Sequence, residues 1–162
     1  MTANLDTRLA SYSSPVLSIF RIVFGLLYML HGSIKLFGWP LGTPVPTGTW
    51  PLWFAGLIEF VLGLLIVAGL FTRIAAFIAS GEMAFAYFYQ HWPPLKGGAS
   101  SSFWPFDPKL GGNGGELAIM FCFAFLLIAT TGAGAASVDA RRRGRVATAG
   151  AAPRRQFRGF RR

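Results

Sequence analysis

The sequence predicts an all-α fold, a four-transmembrane-helix bundle in a polytopic membrane protein. Three observations carry that prediction. Four long apolar runs are each able to cross roughly 30 Å of hydrocarbon. Only 13% of residues are charged and 53% are hydrophobic, with a mean hydropathy of +0.49, whereas a soluble domain carries about 25% charge. The arginines, finally, collect on one side of the runs.

Residues 1–15, MTANLDTRLASYSSP, are polar and lack a small-residue cleavage site, so they read as a cytoplasmic N-terminal segment and not as a signal peptide. The membrane domain follows over residues 16–135. Its first span covers about residues 16–37 and is the least purely apolar. The second covers about 52–71, the third about 74–90 with only Thr72 and Arg73 between them, and the fourth about 116–132. Backbone groups must be paired in lipid, so each run is expected to be helical. The runs lack the alternation that a β-barrel strand requires. Residues 136–162 are rich in Arg, Ala and Gly and are expected to be a disordered cytoplasmic tail.

Orientation follows from the basic residues. With the N-terminus inside, Arg8, Arg73 and the nine tail arginines are cytoplasmic, and the exterior loops hold only Lys96 and Lys109. Those loops are residues 38–51, with four prolines, and residues 91–115, with four more. All five tryptophans (Trp39, Trp50, Trp53, Trp92, Trp104) lie in or beside them, where indole rings favour the headgroup level. Two readings of the loops stand side by side: ordered caps on the outer face, or interfacial linkers.

Ionisable residues inside spans are costly and usually face the bundle interior. His31, Lys35, Glu59, Glu82 and Glu116 all fall in the outer half if depth advances at about 1.5 Å per residue. His31 and Lys35 are i,i+4 neighbours, with Tyr28 one turn before His31. Gly56, Glu59 and Gly63 share a face of the second run, and Ala75, Ala79, Glu82, Ala86 and Tyr89 share a face of the third. Small residues let helices approach closely in lipid, which turns both glutamates inward. The expected product is a buried cluster of His31, Lys35, Glu59 and Glu82, with Glu116 at its mouth. Tyr28, Trp53 and Tyr89 would line its wall. It would bind or hand protons to a small polar or quinone-like molecule, with a set of register-fixing ion pairs as the alternative. Arg21 and Arg73, near the cytoplasmic ends, are expected to reach for the membrane surface.

Other chemistry finds less support. His31 and His91 differ in depth by roughly 9 Å, which argues against a bis-histidine haem. A metal site of His31, Glu59 and Glu82 has suitable ligand types but no local spacing, so no metal is expected. The single cysteine, Cys122, allows no disulfide within the chain and reads as a packing residue. The arginine tail suits anionic lipid of the inner leaflet. Nucleic acid is not expected, because no folded platform backs the tail.

These residues form a pattern. R-x3-G-x6-G-x2-K (Arg21, Gly25, Gly32, Lys35), E-x3-G-x5-G (Glu59, Gly63, Gly69), the turn Leu70-Phe71-Thr72-Arg73, Glu82, and Gly114-Gly115-Glu116-Leu117 follow in that order. The pattern resembles the DoxX family of bacterial and archaeal membrane proteins over about residues 16–135. The resemblance implies a four-helix, multi-pass protein of the bacterial inner membrane. It also implies a link to quinone-dependent electron transfer or oxidative-stress protection, often beside a redox partner protein. Quinone is therefore the cofactor to consider, while the chain carries no autonomous redox motif and its catalytic residues are unassigned. Two alternatives stand beside a quinone-binding redox component. One is a scaffold subunit without chemistry of its own. The other is a small-solute transporter, which would need a homo-oligomer because four helices enclose little space.

Overall fold

The structure is a computed structural model that describes residues 2–91 and 114–150. Most of the second exterior loop, with Lys96, Lys109, Trp92 and Trp104, and the end of the tail lie outside the described residues. All regular elements among the described residues are helices: α1 (Thr2–Ser11), α2 (Ser13–Phe37), α3 (Leu52–Ala68), α4 (Thr72–Gln90), α5 (Glu116–Thr131) and α6 (Val138–Gly150). The chain is all-α, as its continuous apolar runs require.

The four predicted spans correspond to α2–α5, with boundaries moved by glycine chemistry. Helix α2 stops where Gly38 adopts a left-handed conformation and returns its N–H to Ile34. Helix α3 ends at Ala68, three residues before the expected boundary. Gly69 is left-handed there, its N–H bonds to Ile66 O, and the Leu70 N–H bonds to Leu65 O. That pair of bonds is a Schellman stop. Only α2, about 37 Å long over its 25 residues, clearly has the length and composition to cross a bilayer. Helices α3 and α5 are apolar but shorter, at 17 and 16 residues.

Helix α2 lies along α3, and α4 along α5, with α3 and α4 joining the two pairs. The first pair meets through glycines. A Cβ on Gly32 would sit 2.5 Å from the Phe60 nitrogen and 2.7 Å from Gly56 O, and one on Gly63 would sit 2.8 Å from the Met29 backbone. Backbones this close leave no room for a side chain, so the small residues set the approach. The second pair fits Ala75, Ala76 and Ala79 of α4 against Phe121, Phe125 and Ile128 of α5. There the Ser80 hydroxyl donates across to Cys122 O at 2.9 Å.

Polarity is inverted between the interior and the outside. Arg21 and Glu59 are buried, at 0% and 1% exposure, while Ile19, Leu57, Phe77 and Phe123 are exposed on α2–α5. A soluble protein would place these groups the other way round.

The tail departs from expectation. The segment from residue 136, expected to be disordered, contains α6 over Val138–Gly150. Asp139 explains why it docks. Its carboxylate accepts from the Phe71 N–H (3.1 Å), the Thr72 N–H (2.9 Å) and the Thr72 hydroxyl (2.8 Å), so α6 caps the start of α4 from outside. Its own N–H donates to Gly69 O. Phe71 is held at φ 49°, a costly conformation for a bulky residue, and Arg142 lies 5.6 Å from its ring. Partial burial pushes the Asp139 carboxyl up. The hydrogen bonds from Thr72 and Phe71 outweigh that and hold it below the usual carboxylate range.

Two outcomes are expected. Gly32→Ala should separate α2 from α3 and lower stability by about 1–3 kcal/mol, read as thermal unfolding in detergent. Asp139→Ala should speed hydrogen exchange at Phe71 and Thr72, at a cost of about 0.5–2 kcal/mol for a lost cap. Because the folded carboxyl is depressed, its stabilisation is present above the ordinary value near 3.9 and is lost as pH falls through the depressed one. A loss of protection at these amides in acid, taken relative to their intrinsic exchange rate and absent in the alanine variant, checks the sign.

Candidate functional site

The two ends of the bundle hold different polar chemistry. At the end where α2 finishes and α3 begins, α2 presents Tyr28, His31 and Lys35 at spacings of three and four, on one helical face. Gly32 on the same stretch lets α3 come close, and this brings Glu59 up to Lys35. The Lys35 Nζ lies 2.5 Å from Glu59 Oε1, the one ion pair among the described residues. Lys35 keeps 26% side-chain exposure while Glu59 keeps 2%, so the pair runs from the edge of the bundle inward. Glu59 Oε2 is buried and has no hydrogen-bond partner among the described residues.

One turn deeper, the wholly buried Tyr28 donates its hydroxyl to Glu82 Oε2 of α4 at 3.0 Å. Its ring is held edge-on by Phe125, with centroids 4.8 Å apart. Glu82 is half-buried and within electrostatic range of Glu59 and Lys35. His31 stands edge-on to Phe121 at 5.9 Å, a contact that fixes the imidazole plane, and feels the charge of Lys35. The structure thus brings Tyr28, Lys35, Glu59 and Glu82 into one polar cluster, with His31 beside it.

The remaining sequence candidates stand apart. Trp53 packs edge-on to Phe54 at 5.2 Å, and Tyr89 stacks on Phe85 at 5.4 Å. Glu116 opens α5, preceded by Gly115, at which a Cβ would lie 2.6 Å from the Tyr87 ring. Among the described residues no hydrogen bond or ion pair ties these three to the cluster. Nor do any three His, Cys, Asp or Glu side chains there converge as metal ligands.

The opposite end holds what sequence reasoning missed. Arg21 was expected to reach for the membrane surface; it is instead completely buried. Its guanidinium donates to Ala133 O (2.9 Å), Val67 O (2.6 Å), Ala136 O (2.7 Å) and Ile66 O. These carbonyls belong to the end of α3 and the segment after α5, where helix ends leave acceptors unpaired and the dipole is negative. Arg73 does the same for α5, donating to Ala129 O at 3.0 Å and Thr130 O at 2.6 Å. The available signal was Gly25, four residues after Arg21, whose missing side chain lets Ile66 of α3 press against α2.

This arrangement can be set beside known proteins. The DoxX family model matches residues 16–92, which carry nearly all of α2, the whole of α3 and α4, and the Tyr28–Lys35–Glu59–Glu82 cluster. The chain is also 40% identical over 134 residues to an uncharacterized protein of Haemophilus influenzae, a match that covers 81% of this chain and 93% of that one. The chain belongs to the DoxX family. DoxX proteins are membrane-associated, which accounts for the apolar exterior of the bundle. No solved structure matches the chain significantly.

Within this DoxX protein the cluster makes a stability prediction. Removing one partner of a buried ion pair leaves a stranded charge, which costs about 3–5 kcal/mol, whereas removing both costs much less. Lys35→Met alone should therefore lower the unfolding temperature more than Lys35→Met combined with Glu59→Gln. A double-variant effect equal to the sum of Lys35→Met and Glu59→Gln measured singly would mean that Lys35 and Glu59 do not act as a pair.

Proposed function

We propose that the protein is a multi-pass DoxX protein of the inner membrane. Helices α2–α5 cross the bilayer, both termini are cytoplasmic, and the Tyr28–Lys35–Glu59–Glu82 cluster binds a quinone or a similar small molecule. The protein would act as one component of a membrane redox or oxidative-stress system. The observation that carries the reading is the buried, unpartnered Oε2 of Glu59. A buried carboxylate oxygen without a partner loses its hydration with nothing in return, so it calls for a proton, or for a ligand that supplies one.

The donor set fits such a ligand. A hydroquinone hydroxyl can donate to Glu59 Oε2, and a protonated Glu59 can donate to a quinone carbonyl. Reduction of a quinone takes up two protons with two electrons. Glu59 and Glu82 are two carboxyl groups placed to hold protons, and His31 beside them can relay one. Tyr28 orients Glu82, and Lys35 balances the charge of Glu59. The electrons would come from a redox partner protein. The exposed apolar side chains of α2–α5 support the multi-pass placement, and the arginine-rich tail supports the cytoplasmic one.

A scaffold reading has its own support, since the Lys35–Glu59 pair joins α2 to α3 as a structural ion pair would. Purification in gentle detergent, followed by mass spectrometry of extracted small molecules, separates the two. A co-purifying quinone that is lost on Glu59→Gln and Glu82→Gln is the expected result. Ligand-free protein that carries a stoichiometric partner, unchanged by those substitutions, would replace the binding reading with the scaffold. Reporter fusions at the C-terminus and in the loop at residues 38–51 test the orientation independently.

A further inference from the structure

A groove of about 600 Å³, open on one side, lies at the Arg21 end of the bundle, away from the glutamate cluster. Its walls are Ser14 and Leu17 at the start of α2, Thr131 at the end of α5, Gly134 after it, and Arg143 on α6. It exists because α6 is docked: Asp139 ties the first turn of α6 to Phe71 and Thr72, and this carries Arg143, one turn on, to the groove. Ser18 braces its far side by donating to Ser14 O and accepting from the Ala136 N–H.

The donors in this groove make no hydrogen bond among the described residues, although Arg143 lies in the field of Asp139. Both oxygens of Asp139 are taken by α4, and no carboxylate lies within ion-pair distance of Arg143 among the described residues. The Gly134 and Ala135 N–H groups donate to no acceptor among the described residues, and the Ser14 hydroxyl is likewise unused. A guanidinium, a hydroxyl and two free N–H groups around one concavity are suited to a phosphate. Leu17 in the wall, with Val16 and Ile19 exposed beside it on α2, extends the groove into the apolar exterior. A free phosphate has no use for that apolar side, whereas a lipid presents a phosphate and acyl chains together.

We propose that this groove is a binding site for one anionic phospholipid, with the phosphate against Arg143, Ser14 and the 134–135 backbone and the acyl chains along α2. The site rests on the bilayer placement proposed above but not on the quinone reading. It gives α6 a role: the helix is a headgroup clamp held in place by Asp139. Arg141 is exposed and lies outside the groove lining, which makes it an internal control for diffuse charge.

Native mass spectrometry of the full chain in detergent, with dioleoylphosphatidylglycerol or dioleoylphosphatidylcholine added, tests the site. The expected result is one retained phosphatidylglycerol, preferred over phosphatidylcholine. Arg143→Gln should reduce its retention about fivefold, the factor for one arginine beside an anionic surface. Ala140→Phe, which fills the groove without changing charge, should reduce it as much, and Arg141→Gln should leave it unchanged. Undiminished retention by both Arg143→Gln and Ala140→Phe would overturn the site, as would equal loss in Arg141→Gln. Displacement of the lipid by millimolar inorganic phosphate would overturn the lipid assignment in favour of the free anion. The reporter fusions described above report separately on orientation, so a failed site and a wrong placement give different results.

Discussion

The buried guanidinium of Arg21 is the contact on which the rest of this bundle depends. Where helices end away from water, their last carbonyls have no partner, and each unpaired group is costly. Arg21 gathers four carbonyls, two from the end of α3, of which Ile66 O also accepts from Gly69, and two from the segment that follows α5. Its planar fork spreads five donors over three nitrogens and so reaches four acceptors, whereas a lysine has three donors on one atom. With that knot tied, α2 and α3 are held in register. The chain leaving α5 is then directed past Gly69, where α6 can reach the α3–α4 turn.

The two ends of the bundle solve opposite electrostatic problems. At one end the surplus is carbonyl dipole, and Arg21 and Arg73 neutralise it without a carboxylate in hydrogen-bond contact. At the other end the surplus is acidic side chain, and Lys35 and Tyr28 answer two of the four oxygens of Glu59 and Glu82, with Glu82 Oε1 left to its half-exposed surroundings. Glu59 Oε2 remains. The Arg21 guanidinium is fully engaged, as a structural device should be, and the Glu59 carboxylate is not. That asymmetry is why the proposed binding role falls to the glutamates and the architecture to the arginines.

Much of the glutamate end was legible in the sequence. The phase of Gly56, Glu59 and Gly63 put the carboxylate on the packed face of α3, and the glycines are now seen to set the distance to α2. The i,i+4 spacing of His31 and Lys35 put both on the matching face of α2. Trp53, Tyr89 and Glu116 were placed near the cluster by depth alone, and depth does not say which way a ring or carboxylate turns. Arg21 was misjudged because its position near a span end fits a surface-seeking arginine. The carbonyls that bury it come from residues 45 to 115 positions away. Asp139 was overlooked for the same reason, since it caps a helix that begins 67 residues earlier.

The sequence by itself determined the helical class, the four apolar runs, the small-residue faces and the half of the bundle in which Glu59 and Glu82 fall. Those properties depend on composition and on periodicities of a few residues, which are local. Only the tertiary structure decided that Lys35 pairs with Glu59 and Tyr28 with Glu82, that one oxygen of Glu59 is left without a partner, and that residues 138–150 fold as a docked helix. A hydrogen bond is satisfied or orphaned by atoms within about 3 Å, and which residues supply those atoms is settled only when distant segments meet.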